Sequence, residues 1–222
     1  MIKWKNRDFN ELGIVNEKIP TISKGKKKID IHQIEGRNGF ISIDTNSYEP
    51  FNLTLECHCN ENANVDEIKE FLDGYGTLSF DNQRQYTAVI NNAIPFEQVI
   101  NFKKFQVSFL VNPIAEDIVA TEIDLIENDE FNITTYSDIY PMLEITCSGD
   151  VSITINNHTF MLNDSDGTYI LDCKNKVIVD SNGNNAAGIM QYDFPKFING
   201  NNTVETSGTI TNFVASYRKT YQ

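Results

Sequence analysis

Apolar and polar side chains alternate at a period of two residues over short stretches along the whole chain, and nothing else in the sequence restricts the fold as strongly. Successive side chains of a strand point to opposite faces, so such a stretch can keep one face in a core and the other in water. "KIDIHQI" sets Ile29 and Ile31 on one face and Asp30 and His32 on the other, and "FISID" repeats the pattern with Ile41 and Ile43. The intervening "GRNG", Gly36 to Gly39, reads as a turn with glycines where φ is positive. "YTAVI" and "FQVSFLV" continue the theme, the second pointing Phe105, Val107, Phe109 and Val111 together. Expected from this is a mainly β protein.

One segment departs from the alternation. In "NANVDEIKEFLDGYG", Val65, Ile68, Phe71 and Leu72 form a helical stripe, Asn64 is an N-cap, and Asp66 and Glu67 suit the positive end. Gly74 or Gly76 ends it. The first half is therefore a β sandwich or barrel with one helix packed on it. Near "VNPIAEDIVATEIDLIEN", Pro113 ends the strong strand, a short acidic connector follows, and new strands begin near Glu122. "LEITC" and "VSITI" alternate, "INNHT" reads as a tight turn with Asn156 and Asn157 at its tip, and "TYILDC…KVIVD" is a second hairpin turning at Lys174, Asn175 and Lys176. No helical stripe occurs here. Two domains follow, 1–117 and 118–222, the second an antiparallel β sandwich.

With 40% hydrophobic and 11% aromatic residues the chain can fill a core, and no run of 18 apolar residues offers a membrane span. The first residues, "MIKWKNRDFNELG", are polar where a signal peptide needs its apolar stretch. The expectation is folding in a cytoplasm, with four cysteines as thiols and the Asn-x-Ser/Thr sites at Asn52, Asn132, Asn157, Asn163 and Asn201 without glycans. A net charge of −13 argues against a gripped nucleic acid, which needs a basic face. The acid is uneven: thirteen basic residues face seventeen acidic ones in 1–120, but five face fourteen in 121–222. The one basic run, Lys24, Lys26, Lys27 and Lys28, reads as a solvated turn entering a strand.

"NLTLECHC" places two cysteines around a histidine, all of metal-ligand type. A strand sends Leu53, Leu55, Cys57 and Cys59 to one face and Thr54, Glu56 and His58 to the other, so the three groups do not converge. Tetrahedral zinc needs about four ligands, and Cys147, Cys173, His32 and His158 stand apart in sequence. "DSDGT" (Asp164 to Thr168) and "DSNGN" (Asp180 to Asn184) lack the ligand spacing of a calcium loop and read as turns. No nucleophile elbow, P-loop or dinucleotide fingerprint is present. No catalytic, cofactor-binding or metal-binding residue is assigned.

The order of these elements resembles the distal tail proteins of siphophages. The first half is similar to their N-terminal domain in "GRNG", "YEPFNLTLEC", "VDEIKEFL", "GYGTLSFDNQRQYTAVI" and "FKKFQVSFLVNP". The second half resembles their galectin-like domain in "YPMLEITCSGDVSITINNHTF", "YILDCKNKVIVD" and "DFPKFINGNNTVETSGTI". The resemblance implies a short-form, non-enzymatic hub at the distal end of the tail in a virion, from a free phage or a prophage, assembled in the host cytoplasm. The N-terminal domains would form a homo-hexameric ring, single or doubled, that continues the tail tube protein and passes DNA without specific binding. The galectin-like domains would hold receptor-binding or baseplate proteins, and a tail-associated tip protein would dock below. An acidic lumen would let DNA slide, with Lys24–Lys28 at a protomer or ring-to-ring contact. Another tail tube or tail-tip protein is the nearest alternative, and a carbohydrate-binding adhesion module a further one. Sugar sites of the galectin type stack on tryptophan; the single tryptophan is Trp4, outside 118–222.

Overall fold

The computed structural model of the chain describes residues 2–18, 20–22, 24–36, 38–99 and 101–222. They form two compact units, one running to Ala115 and the other comprising Glu116–Tyr221. Both are built of antiparallel strands, and the first carries the one α-helix among the described residues.

In chain order the first unit runs β1 (Lys3–Trp4), β2 (Arg7–Asp8), β3 (Ile14–Asn16), β4 (Lys26–His32), β5 (Ile41–Glu49), β6 (Phe51–Asn60), α1 (Val65–Phe71), β7 (Gly74–Ser79), β8 (Arg84–Ile90), β9 (Phe96–Val99) and β10 (Phe102–Asp117). The main sheet has the order β2-β1-β7-β8-β10-β6-β3, with β9 also on β10. Among the described residues β4 and β5 pair with each other and with no other strand. In the β6–β10 ladder Cys57 lies opposite Phe105, Leu55 opposite Val107 and Leu53 opposite Phe109, and these residues share one core with Trp4, Leu78, Ala88 and Ile90. The expected alternation of 53–59 and 105–111 is found.

Helix α1 covers this sheet face through Ile68 and Leu72. The Asn64 side chain accepts hydrogen bonds from the N–H groups of Asp66 and Glu67 at 3.2 and 3.3 Å, satisfying donors that the first turn leaves open. Leu72 caps the other end, its N–H donating to Ile68 O, and Gly74 at φ 64° turns the chain into β7. Neither glycine expected to stop the helix caps it: Leu72 does, and Gly74 is already the first residue of β7. Gly76 serves close approach instead, because a Cβ there would sit 2.7 Å from Lys5 Cγ and 3.2 Å from the Trp4 ring. Asn64→Ala is expected to lower stability by about 1 kcal/mol, read as a shifted midpoint in urea with an unchanged slope.

Pro113 does not end its strand, contrary to expectation: β10 continues to Asp117. The ladder with β6 stops at Val111–Phe51, so the missing N–H of Pro113 breaks no bond of that ladder.

The second unit contains β11 (Thr121–Asp124), β12 (Glu130–Ile133), β13 (Met142–Ile155), β14 (His158–Asp172), β15 (Val177–Asp180), β16 (Met190–Gln191), β17 (Gly200–Tyr217) and β18 (Thr220–Tyr221). The sheet order is β11-β17-β13-β14-β15; β12 joins β17 and β16 joins β14. Strands of 14 to 18 residues could not remain flat over one small core. The register slips between Gly149 and Val151, and again between Ser148 and Ser152 against β17. Such bulges bend a strand, so Leu143 and Ile145 of one half of β13 face the same core as Val151, Ile153 and Ile155 of the other. Gly208 marks the bend, since a Cβ there would meet Asp150 O at 2.5 Å.

Both expected hairpins are present. Ile155 pairs with His158 around Asn156, which has φ 56°, and Asp172 pairs with Val177 across a turn that ends in Lys176, also at φ 56°. "DSNGN" is a turn, with Asp180 accepting from the N–H groups of Asn182 and Asn184. "DSDGT" is not: it lies inside β14, and its small polar residues serve the bulge, with Asp164 at φ 49° donating its N–H to Asp150.

Candidate assembly surface

The expectation that "KIDIHQI" and "FISID" lay an apolar face on a core is not met. They form β4 and β5, a two-stranded ribbon in which every described residue of β4 is exposed. Ile31 is 61% exposed and Phe40, at the tip, 65%. Gly36 and Gly39 have the positive φ expected of the turn, 79° and 97°; Arg37 lies outside the described residues. Register explains why the ribbon has no single apolar side. Ile29 lies opposite Asp44 and Ile31 opposite Ser42, whereas Ile43 lies opposite Asp30 and Ile41 opposite His32. Directly opposed residues share a face, so Ile29 and Ile31 are on one side and Ile41 and Ile43 on the other.

Of the lysine run, Lys24 precedes the ribbon while Lys26, Lys27 and Lys28 belong to β4 itself. Lys26 pairs with Glu49 at 3.1 Å, and Lys27 donates to Asp44, a hydrogen bond that raises its pKa above the usual lysine value. The root is fixed by Gly25, which is buried; a Cβ there would lie 2.4 Å from Pro113 Cβ and 3.5 Å from Tyr48 Cβ.

Beside that root the sheet face opposite the core is hollowed into a cleft of about 300 Å³, lined by Tyr48, Pro50, Tyr75, Val89, Leu110 and Pro113 among others. Tyr75 is 72% exposed. Val89 and Leu110 occupy positions of β8 and β10 whose parity points away from the core, and their apolar character there was the signal that sequence reasoning passed over. Tyr48, Pro50, Tyr75 and Pro113 come from separate elements and carry no joint pattern.

Farther along the same face the surface becomes charged. Glu17 accepts from Lys104 Nζ at 3.2 Å, which holds its carboxyl below the usual range, and lies 3.4 Å from His58 Nδ1. Lys18 pairs with Glu56 at 2.8 Å. His58 points to this side, with its ring 5.6 Å from that of Phe102, while Cys57 and Cys59 are buried on the other. Among the described residues no three His, Cys, Asp or Glu side chains converge as a metal requires.

Burial pushes the thiol of Cys57 up to about 12, and that of Cys173 likewise. At pH 8 both are protonated and covered, so alkylation of the native protein is expected to be slow and to reach all four cysteines only after unfolding. The unfolded thiol, near 9, ionises before the folded one, so its contribution to stability is whole below pH 9 and is lost as pH rises toward 12. Urea midpoints measured from pH 8 to 11 should fall accordingly.

The fold defined here is a pair of antiparallel β units, the first with a packed helix and a projecting ribbon. No protein-family model matches the chain, and no curated protein sequence does. Among solved structures, the crystal structure of the SPP1 Dit (gp 19.1) protein is similar end to end, with a TM-score of 0.76 at 11% sequence identity, covering 100% of this chain and 98% of that one. That protein is described as a paradigm of the hub adsorption apparatus in Gram-positive infecting phages. At this identity the likeness is one of fold.

Proposed function

We propose that the chain is a structural component of a phage distal tail hub. The observation that carries this is the end-to-end agreement of fold, which takes in 100% of this chain and 98% of that one. A tail tube protein built on the first unit alone would leave the second unmatched, so the tip of the tail is favoured over its shaft.

In this reading the first unit closes into a homo-hexameric ring that continues the tail tube, and the second is a galectin-like sandwich that docks receptor-binding or baseplate proteins. A tail-associated tip protein sits below, and DNA passes through the ring without being gripped; the excess of acid fits that passage. The role needs no catalysis. The single tryptophan, Trp4, is fully buried in the first unit, which leaves no exposed indole to stack on a sugar and disfavours a carbohydrate-binding module.

Light scattering coupled to size-exclusion chromatography tests the ring. Six copies of the 25.2 kDa chain give about 150 kDa, and a double ring about twice that. Negative-stain images should show a six-fold annulus. A species that stays monomeric at every concentration, alone and with the tube and tip proteins of its own phage, would overturn the reading.

A further inference from the structure

We propose that the β4–β5 ribbon of one copy seats its Ile29–Ile31 side in the cleft of Tyr48, Tyr75, Val89 and Leu110 on the next copy; this rests on the ring reading above and names the contact that closes it.

A two-stranded ribbon is marginally stable by itself in water, and this one exposes apolar side chains on both sides. Its two sides are not equal. Around Ile41 and Ile43 stand Asp30, directly opposite Ile43, and His32, directly opposite Ile41, and burying such groups unpaired is costly. Around Ile29 and Ile31 stand Ser42 and Asp44, and Asp44 is already neutralised by Lys27. The second side is the one that can lose water cheaply.

The occupant of the cleft is a second copy rather than the chain's own ribbon. Gly25 roots the ribbon against Pro113, a wall of the cleft, and β4 then runs seven residues outward. At about 3.3 Å per residue Ile29 and Ile31 stand roughly 13 and 20 Å along the strand from the root at Gly25, and both are exposed. Every copy thus carries a donor side and an acceptor cleft at different places, the condition for head-to-tail contacts that close into a ring. Ile29, Ile31 and the tip residues Ile34 and Phe40 together expose on the order of 400 Å² of apolar surface. That is about half of one partner's share in a standard interface of roughly 800 Å² a side, so an isolated pair should be weak and the closed ring much firmer.

Two variants and their mixture test this. The first is Ile29→Asp with Ile31→Asp; the second is Tyr75→Glu with Leu110→Glu. Circular dichroism monitors folding of each. Each alone should fail to form rings, with self-association at least tenfold weaker. Mixed, the second variant's intact ribbon can enter the first variant's intact cleft, giving a 1:1 dimer that grows no further. Ile43→Asp, on the other side of the ribbon, should still assemble. Independently of how the cleft variant folds, Ile31→Cys mixed with Tyr75→Cys should form a disulfide between copies under mild oxidation, and neither should do so with itself. If the wild type forms hexamers but the cleft variant also does, or the mixture stays monomeric and the cysteines do not link, the contact is wrong while the ring stands. If the wild type never associates, contact and ring fall together.

Discussion

Trp4→Ala is expected to unfold the first unit under conditions where the wild type is native. The indole is fully buried, meets the edge of Phe109 at 5.1 Å between ring centroids, and donates Nε1–H to Phe71 O at 3.0 Å. It thereby ties the last turn of α1 to the sheet. Removing the ring costs about 3–5 kcal/mol in transfer and cavity terms, and the orphaned carbonyl adds roughly 1–3 kcal/mol. Against a typical total of about 5–15 kcal/mol that is most of the available stability. Amide exchange measured peptide by peptide should show protection lost across β6–β8 and β10, and Trp4→Phe should recover a large part of it. As the chain's one tryptophan, Trp4 also makes wild-type emission a direct reporter on this unit.

In the second unit the comparable effect belongs to Asn202→Asp. Asn202 is fully buried and satisfied on every side. Its Nδ2 donates to Ile198 O at 2.9 Å and Gly200 O at 3.1 Å, while Oδ1 accepts from Ile198 N–H and from Asn156 Nδ2. The amide binds the chain entering β17 to the β13–β14 turn. An aspartate has the same shape but turns an acceptor toward two carbonyl oxygens. An uncompensated buried charge costs about 3–5 kcal/mol. Burial raises the carboxyl's folded pKa above its unfolded value near 4, so the deficit is full above the folded pKa and shrinks as pH falls toward 4, where the protonated acid can donate. Melting curves at pH 8 and pH 4.5 check both size and sign; an equal deficit at the two would contradict the assignment.

What could be read in the sequence depended on how local the deciding contact was. Helix α1 was legible because its N-cap and apolar stripe lie within nine residues, Asn64 to Leu72. The inward turn of Cys57 and Cys59 followed from parity alone and needed no knowledge of the partner strand. "KIDIHQI" shows the limit: alternation predicts that a strand has two unlike faces, not that either is covered, and only the pairing of Ile29 with Asp44 reveals that the ribbon's isoleucines are split between both sides. Pro113 misled because a missing N–H matters only where a neighbouring strand asks for it. "DSDGT" misled because a bulge and a turn use the same small polar residues, and choosing between them requires the register of β13. The cleft was invisible because its walls come from four strands, β5, β7, β8 and β10, and from Pro50 between β5 and β6, whose residues have no common spacing.

The covered thiols of Cys57, Cys59, Cys147 and Cys173 bear on how the chain ages. With sulfurs held protonated under neighbouring side chains, dissolved oxygen finds no thiolate to oxidise, and separate chains stay covalently unlinked. Material kept for weeks in aerated buffer should therefore retain its mass and its oligomeric state without any reductant.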